Sequence, residues 1–172
     1  IFNVPARGLI GYTTEFMSLT KGFGIINHTF DHYAPVVAGR VGGRHQGVLV
    51  SMENGKATTY GMMGVEDRGT LFVEPGTEVY EGMIVGENTR ENDITVNITK
   101  QKQKTNIRSA NKDQTNVIKK PRLLTLEEAL EYLSDDEYLE VTPESIRLRK
   151  QILDKGERER IAKKKKYAEM EN

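Results

Sequence analysis

The chain has 172 residues, of which 37% are hydrophobic and 29% charged, with 25 cationic and 25 acidic side chains. That size fits one compact domain or two small ones with a real core, and the composition is globular rather than disordered. No apolar run approaches the ~18 residues that cross a bilayer, which excludes a transmembrane helix, and the lack of Cys excludes disulfides, thiolate metal sites and thiol nucleophiles.

The opening residues Ile1 to Val4 read as the end of a strand stopped by Pro5, so the chain is expected to be a piece of something longer. Leu9, Tyr12, Phe16 and Leu19 then recur at helical spacing, and Gly22 after Lys21 fits a helix C-terminus. Residues 23–30 return as a strand, giving a strand–helix–strand unit, about half of a split βαβ domain, with a boundary at Pro35. Residues 36–99 are Gly-rich and β-prone. Asn54-Gly55 predicts a hairpin between 47–52 and 57–62, and further strands fall at 69–74, 83–87 and 93–99, a spacing that suggests a small barrel or sandwich. Residues 100–122 form a long polar connection. Thr125-Leu-Glu-Glu128 is a capping box, followed by Leu126, Ala129, Leu130 and Leu133 at helical spacing. Residues 138–141 read as a short strand. Thr142-Pro143 predicts the start of a helix reaching about Leu153, and residues 157–172 read as a helix fading into disorder.

The zero net charge hides a strong pattern. Residues 1–99 are net −4, 100–122 net +7, 123–156 net −5 and 157–172 net +2. Lys100, Lys102, Lys104, Arg108, Lys112, Lys119, Lys120 and Arg122 share the central segment with one acid, Asp113, and are interleaved with Asn and Gln. Cations neutralise phosphates and amides reach base edges or sugar hydroxyls, so these eight residues are the candidate nucleic-acid site. With no aromatic to stack on, the segment suits the backbone and shape of a folded RNA. Arg40, Arg44 and His45 among four glycines form a second basic patch, and Lys163, Lys164, Lys165 and Lys166 a third.

Other chemistries are weaker. Gly55-Lys56-Ala57-Thr58 resembles the end of a phosphate loop, but Val50 stands where Gly is required and Ala57 where Ser or Thr is. Asn111-Lys112-Asp113-Gln114 misses a guanine-reading pattern at its last position. His28 and His32 share a strand face, with His45 as a third ligand from elsewhere, but no metal-ligand spacing is met, so no metal is expected. Glu66-Asp67-Arg68-Gly69 reads as a turn with a surface ion pair, and no catalytic residue emerges.

Several long stretches together resemble one family: Val4-Pro-Ala-Arg-Gly-Leu-Ile-Gly11, Asn27-His-Thr-Phe-Asp31, Gly47-Val-Leu-Val-Ser-Met-Glu-Asn-Gly-Lys-Ala57, Gly64-Val-Glu-Asp-Arg-Gly69, Val73-Glu-Pro-Gly-Thr-Glu-Val-Tyr-Glu-Gly-Met-Ile-Val-Gly86, Thr105-Asn-Ile-Arg-Ser-Ala110 and Val141-Thr-Pro-Glu-Ser-Ile-Arg-Leu-Arg-Lys150. They resemble the C-terminal part of the BipA/TypA ribosome-associated translational GTPases. The resemblance implies an α+β chain. Residues 1–36 would be the last strand–helix–strand of a ferredoxin-like domain V of elongation-factor-G type. Residues 37–172 would be the family's C-terminal domain, β-rich and barrel-like over 37–99, with the basic loop at 100–122 and helices over 123–172. It also implies cytoplasmic ribosome binding through rRNA and the tRNA acceptor end, with roles in large-subunit assembly and stress adaptation. No GTPase motif is present, so this piece is expected to be no enzyme and to take no cofactor, GTP and Mg belonging to a domain outside it. The competing expectation is a protein-interaction module, with dimerisation through the truncated domain V.

Overall fold

The computed structural model describes residues 1–9, 12–37, 44, 46–101 and 118–170. The fold is α+β: among the described residues one six-stranded sheet dominates, with a separate two-stranded ladder and flanking helices. At the N-terminus a 3-10 turn, Ala6–Leu9, precedes helix α1, Tyr12–Leu19. The helix ends as the Lys21-Gly22 pair suggested: both adopt positive φ, 53° and 80°, and the Gly22 amide donates back to the Met17 carbonyl at 2.8 Å. Residues 1–4 and 23–30 do not form the expected strands. A strand needs a hydrogen-bonded neighbour, and neither segment has a ladder among the described residues. The Asn3 side-chain amide in the first instead donates to Asp31, just past the second, at 2.9 Å.

The main sheet contains β1 (Val48–Ser51), β3 (Gly69–Leu71), β5 (Met83–Asn88), β6 (Ile94–Val96), β7 (Glu137–Val141) and β8 (Ile146–Lys150). Its order is β6-β1-β5-β8-β7. β1 pairs parallel to β6 and antiparallel to β5, while β3 and β8 share the other edge of β5. The sheet is open, so the barrel-like expectation is corrected: among the described residues no ladder joins β6 to β7. β2 (Gly55–Lys56) pairs separately with β4 (Glu78–Val79).

Two further expectations change. The Asn54-Gly55 hairpin does not form between 47–52 and 57–62, because β5 and β6 already occupy both edges of β1. Residues 59–63 turn instead into helix α2, Thr59–Met63. Nor is 143–153 a helix. The Thr142 hydroxyl does accept from a downstream amide, that of Ser145 at 3.0 Å, yet this closes a four-residue loop joining β7 to β8. The alternation Ile146-Arg-Leu-Arg-Lys150 fits a strand, and Leu148 is buried between two arginines that are not. Helix α3, Leu126–Tyr132, carries the expected capping box in full, and α4 runs Lys155–Met170.

Core residues lie on both faces of the central strands, which explains their unbroken apolar runs. One cluster gathers Leu49, Met62, Leu71, Val85, Val96 and Ile98, and the other sets Val48, Val50, Phe72, Ile84 and Leu148 against Ala129 and Tyr132 of α3. The second core ends in an ionic network centred on the buried side chains of Arg44, Glu137 and Lys150, with Asp93 and Asp136 exposed at its edge. Arg44 grips Glu137 with two bonds of 3.1 and 2.7 Å, donates to the Tyr132 carbonyl at 3.1 Å, and lies 4.4 Å over the Tyr132 ring. Lys150 reaches Glu137 and Asp136 at 2.9 Å each and Asp93 at 2.6 Å. Burial alone would raise the Glu137 carboxyl, but the bonds from Arg44 and Lys150 outweigh it and hold the group below its ordinary 4.5. Burial would likewise lower Lys150, and its three carboxylates instead raise it above 10.5.

Both directions favour the charged network at neutral pH. Glu137 contributes fully above 4.5 and its contribution fades as pH falls through its depressed folded value, whereas Lys150 contributes fully below 10.5 and fades above its raised value. Urea midpoints should therefore stay level, as far as this network goes, between those limits and drop on the acid side. Glu137→Ala, which strands the buried Arg44 and leaves Lys150 with only Asp136 and Asp93, should cost about 3–5 kcal/mol at pH 7. A loss below about 1 kcal/mol would show that the network is dispensable.

Candidate nucleic-acid interface

The cationic stretch leaves and rejoins the fold at one place. On the outgoing side Ile98 is fully buried in the first core, and its carbonyl accepts from the Thr58 amide at 2.9 Å. The Thr58 hydroxyl donates to the Lys100 carbonyl at 2.5 Å and, as N-cap of α2, accepts from the Gly61 amide at 3.0 Å. On the returning side Ile118 packs against the same core. The Lys119 amide donates to Glu66 at 2.6 Å, and the Arg122 amide to the Leu71 carbonyl at 2.8 Å. Thr58 and Glu66 stand on either side of α2, so one short helix ties down both ends. Gly61 makes the approach possible: a Cβ there would lie 2.4 Å from the Ile98 carbonyl oxygen.

At these ends Lys100, Lys119 and Lys120 are exposed and make no ion pair among the described residues. Arg122 is 46% exposed in its side chain and 3.4 Å from Glu128. Glu128 is already held by the Thr125 amide, the main reason its carboxyl lies below the ordinary range, so the Arg122 contact is the looser of its two. Lys102, Lys104, Arg108 and Lys112 lie outside the described residues, as do Arg40 and His45. Arg44 belongs to the interior: with its side chain 9% exposed and both terminal nitrogens on Glu137, it presents no charge to a ligand. Lys163 and Lys164 are exposed on α4, and the side chains of Lys165 and Lys166 lie outside the described residues.

His32 bonds to the neighbouring Asp31 at 2.7 Å, and no group of three His, Cys, Asp or Glu among the described residues could hold a metal ion. Glu66 takes the Lys119 amide rather than pairing with Arg68. Sequence reading missed Thr58, Gly61 and Glu66 as organisers of the basic segment. Thr58 carried a legible capping signal, but the backbone that Gly61 admits is 37 positions away in sequence, and no local pattern announces it.

Residues 46–155 match the family model of the TypA/BipA C-terminal domain, and residues 1–41 match that of the elongation factor G C-terminus. The chain belongs to the TypA/BipA C-terminal domain family. It is 73% identical over 98% of its length to the large ribosomal subunit assembly factor BipA of Bacillus subtilis, and 48% identical over 91% to that of Escherichia coli K12. The Haemophilus influenzae protein of the same name is 45% identical over 91% of the chain. The chain spans about a quarter of the length of these curated relatives, 28% for the first and 26% for the others. No helix among the described residues is long and apolar enough to cross a membrane.

Gly61→Ala should separate α2 from Ile98 and loosen both ends of the segment together, at a cost of about 1–3 kcal/mol. Amide exchange would check it: the Thr58 and Lys119 amides should both exchange faster. An effect on Thr58 alone would show that the two ends are held independently.

Proposed function

We propose that this chain docks a ribosome assembly factor onto ribosomal RNA through the basic segment 100–122. The observation that carries the proposal is the pair of anchored ends: exposed lysines at 100, 119 and 120, in no ion pair among the described residues, leave backbone tied at the two ends of α2, with four more cations between them in sequence. Cations presented this way engage phosphates by releasing counterions, and a loop closed on one helix spends little further entropy in holding its ends together. The names of the relatives point to the large ribosomal subunit as the partner. Contact with the tRNA acceptor end, a part in stress-adapted translation and a cytoplasmic site of action extend the same reading. The 172 residues act here as a binding region without a cofactor of their own, and GTP and Mg belong to the GTPase machinery of the longer protein.

A salt series of binding to large ribosomal subunits tests this. Eight engaged phosphates give a slope of log affinity against log salt of about −6 to −7. Changing Lys119, Lys120 and Arg122 to Ala should flatten that slope by about 2 to 3 units. An unchanged slope removes the segment from the mechanism.

A second reading rests on the N-terminal segment, where Phe2, Phe23, Ile25, Phe30 and Tyr33 are all more than 70% exposed. Such surface suits a protein neighbour, either a second copy or the remainder of domain V. Light scattering of this chain and of one carrying the complete domain V would distinguish them: a dimer in both favours a native protein interface, and a dimer in the shorter chain alone favours the missing remainder.

A further inference from the structure

The basic segment holds no aromatic residue, so it offers phosphates a grip and bases no surface. The outer face of the β7–β8 hairpin supplies what it lacks. Tyr138 is paired with Arg149 across the ladder and Glu140 with Arg147, and strand alternation puts these four on the face opposite Glu137, Leu139, Leu148 and Lys150. The Arg149 guanidinium lies 5.0 Å from the Tyr138 ring centroid, and its Nε donates to Glu140 at 2.7 Å. The Tyr80 hydroxyl donates to the other oxygen of Glu140 at 2.6 Å. The negative charge on this face is therefore taken up by neighbours, while Arg147 makes no ion pair among the described residues.

Tyr138 nonetheless remains 49% exposed. A cation–π pair uses one side of a ring and stiffens the hairpin. The exposed part of Tyr138 offers an apolar surface, with Arg147 two residues from Arg149 on the same face of the hairpin. Across the same sheet the corresponding face of β1 and β5 is covered by the first core, where Leu49, Met83 and Val85 are buried.

We propose that the outer face of β7–β8 is a nucleobase-stacking site for single-stranded RNA, with Tyr138 as the platform, Arg149 holding the ring and Arg147 taking the adjoining phosphate. It rests on the RNA-docking reading above and adds an unpaired element to what that reading recognises.

The test uses the whole chain, a fluorescein-labelled 12-nucleotide oligouridylate and a 12-base-pair RNA duplex, read by anisotropy. Tyr138→Ala should weaken oligouridylate binding ~5- to 150-fold, the range for losing one base stack, and leave the salt slope unchanged. Tyr138→Phe should bind as the native chain does, and duplex binding should not respond to either change. Arg147→Ala should lower the slope by about one unit or less. Melting curves accompany each variant. If Tyr138→Ala fails to fold, Tyr138→Leu keeps an apolar cover on Arg149 and must show the same selective loss. Native affinity in the Ala or Leu variant, or equal loss in the Phe variant, overturns the stacking site. The docking reading is judged separately by the slope change in the Lys119, Lys120 and Arg122 variant.

Discussion

The contact of α2 with the Ile98 carbonyl sets the geometry on which binding depends. A five-residue helix has little stability of its own, and here it is held by its Thr58 cap and by a glycine that lets another backbone come within van der Waals reach. From that one helix Thr58 secures Lys100 and, just beyond its end, Glu66 secures Lys119. The consequence is electrostatic. Charges at the two ends of a long connection would ordinarily be spread over the surface, but here their backbones are tied at the two ends of one short helix. A focused positive field strengthens encounter with a polyanion more than the same charges dispersed.

The ionic network on the other side of the sheet has a different task. Arg44, Glu137, Lys150, Asp136 and Asp93 come from the approach to β1, the start of β7, β8, the turn before β7 and the turn before β6. Their partners lie far apart in the chain, so the network fixes how the β7–β8 hairpin and α3 sit against β1. Buried charges of this kind add little net stability over an apolar replacement, but they are costly to break singly. The same cation chemistry thus serves opposite ends: where carboxylates surround it, it closes the fold, and where none does, it faces outward.

Local signals were legible where local interactions decide the structure. The Thr125–Glu128 capping box and the positive-φ end of α1 depend on atoms within a few residues, and both were readable. The apolar run at 83–87 gave a strand for a similar reason. Misreadings arose where distant neighbours chose between two local options. Asn54-Gly55 carries a hairpin signal, yet β1 had already spent both edges on β5 and β6. Thr142-Pro143 carries a helix-start signal, yet the next residues alternate, and pairing with both β5 and β7 prevails over the cap. Arg44 looked like part of an open patch because its partner, Glu137, is 93 residues downstream. The eight cations of the basic segment were visible as charge, but the base that holds their ends was not.

Photocrosslinking on intact large ribosomal subunits tests the central claim most directly. A benzophenone amino acid would replace Gln101 or Lys120, one at each anchored end, with a third probe at the exposed Glu127 on α3 as a control. The account predicts adducts to ribosomal RNA from positions 101 and 120 that disappear at high salt, and none from 127. Adducts from 101 and 120 to ribosomal proteins alone, or RNA adducts indifferent to salt and equally strong from 127, would contradict it.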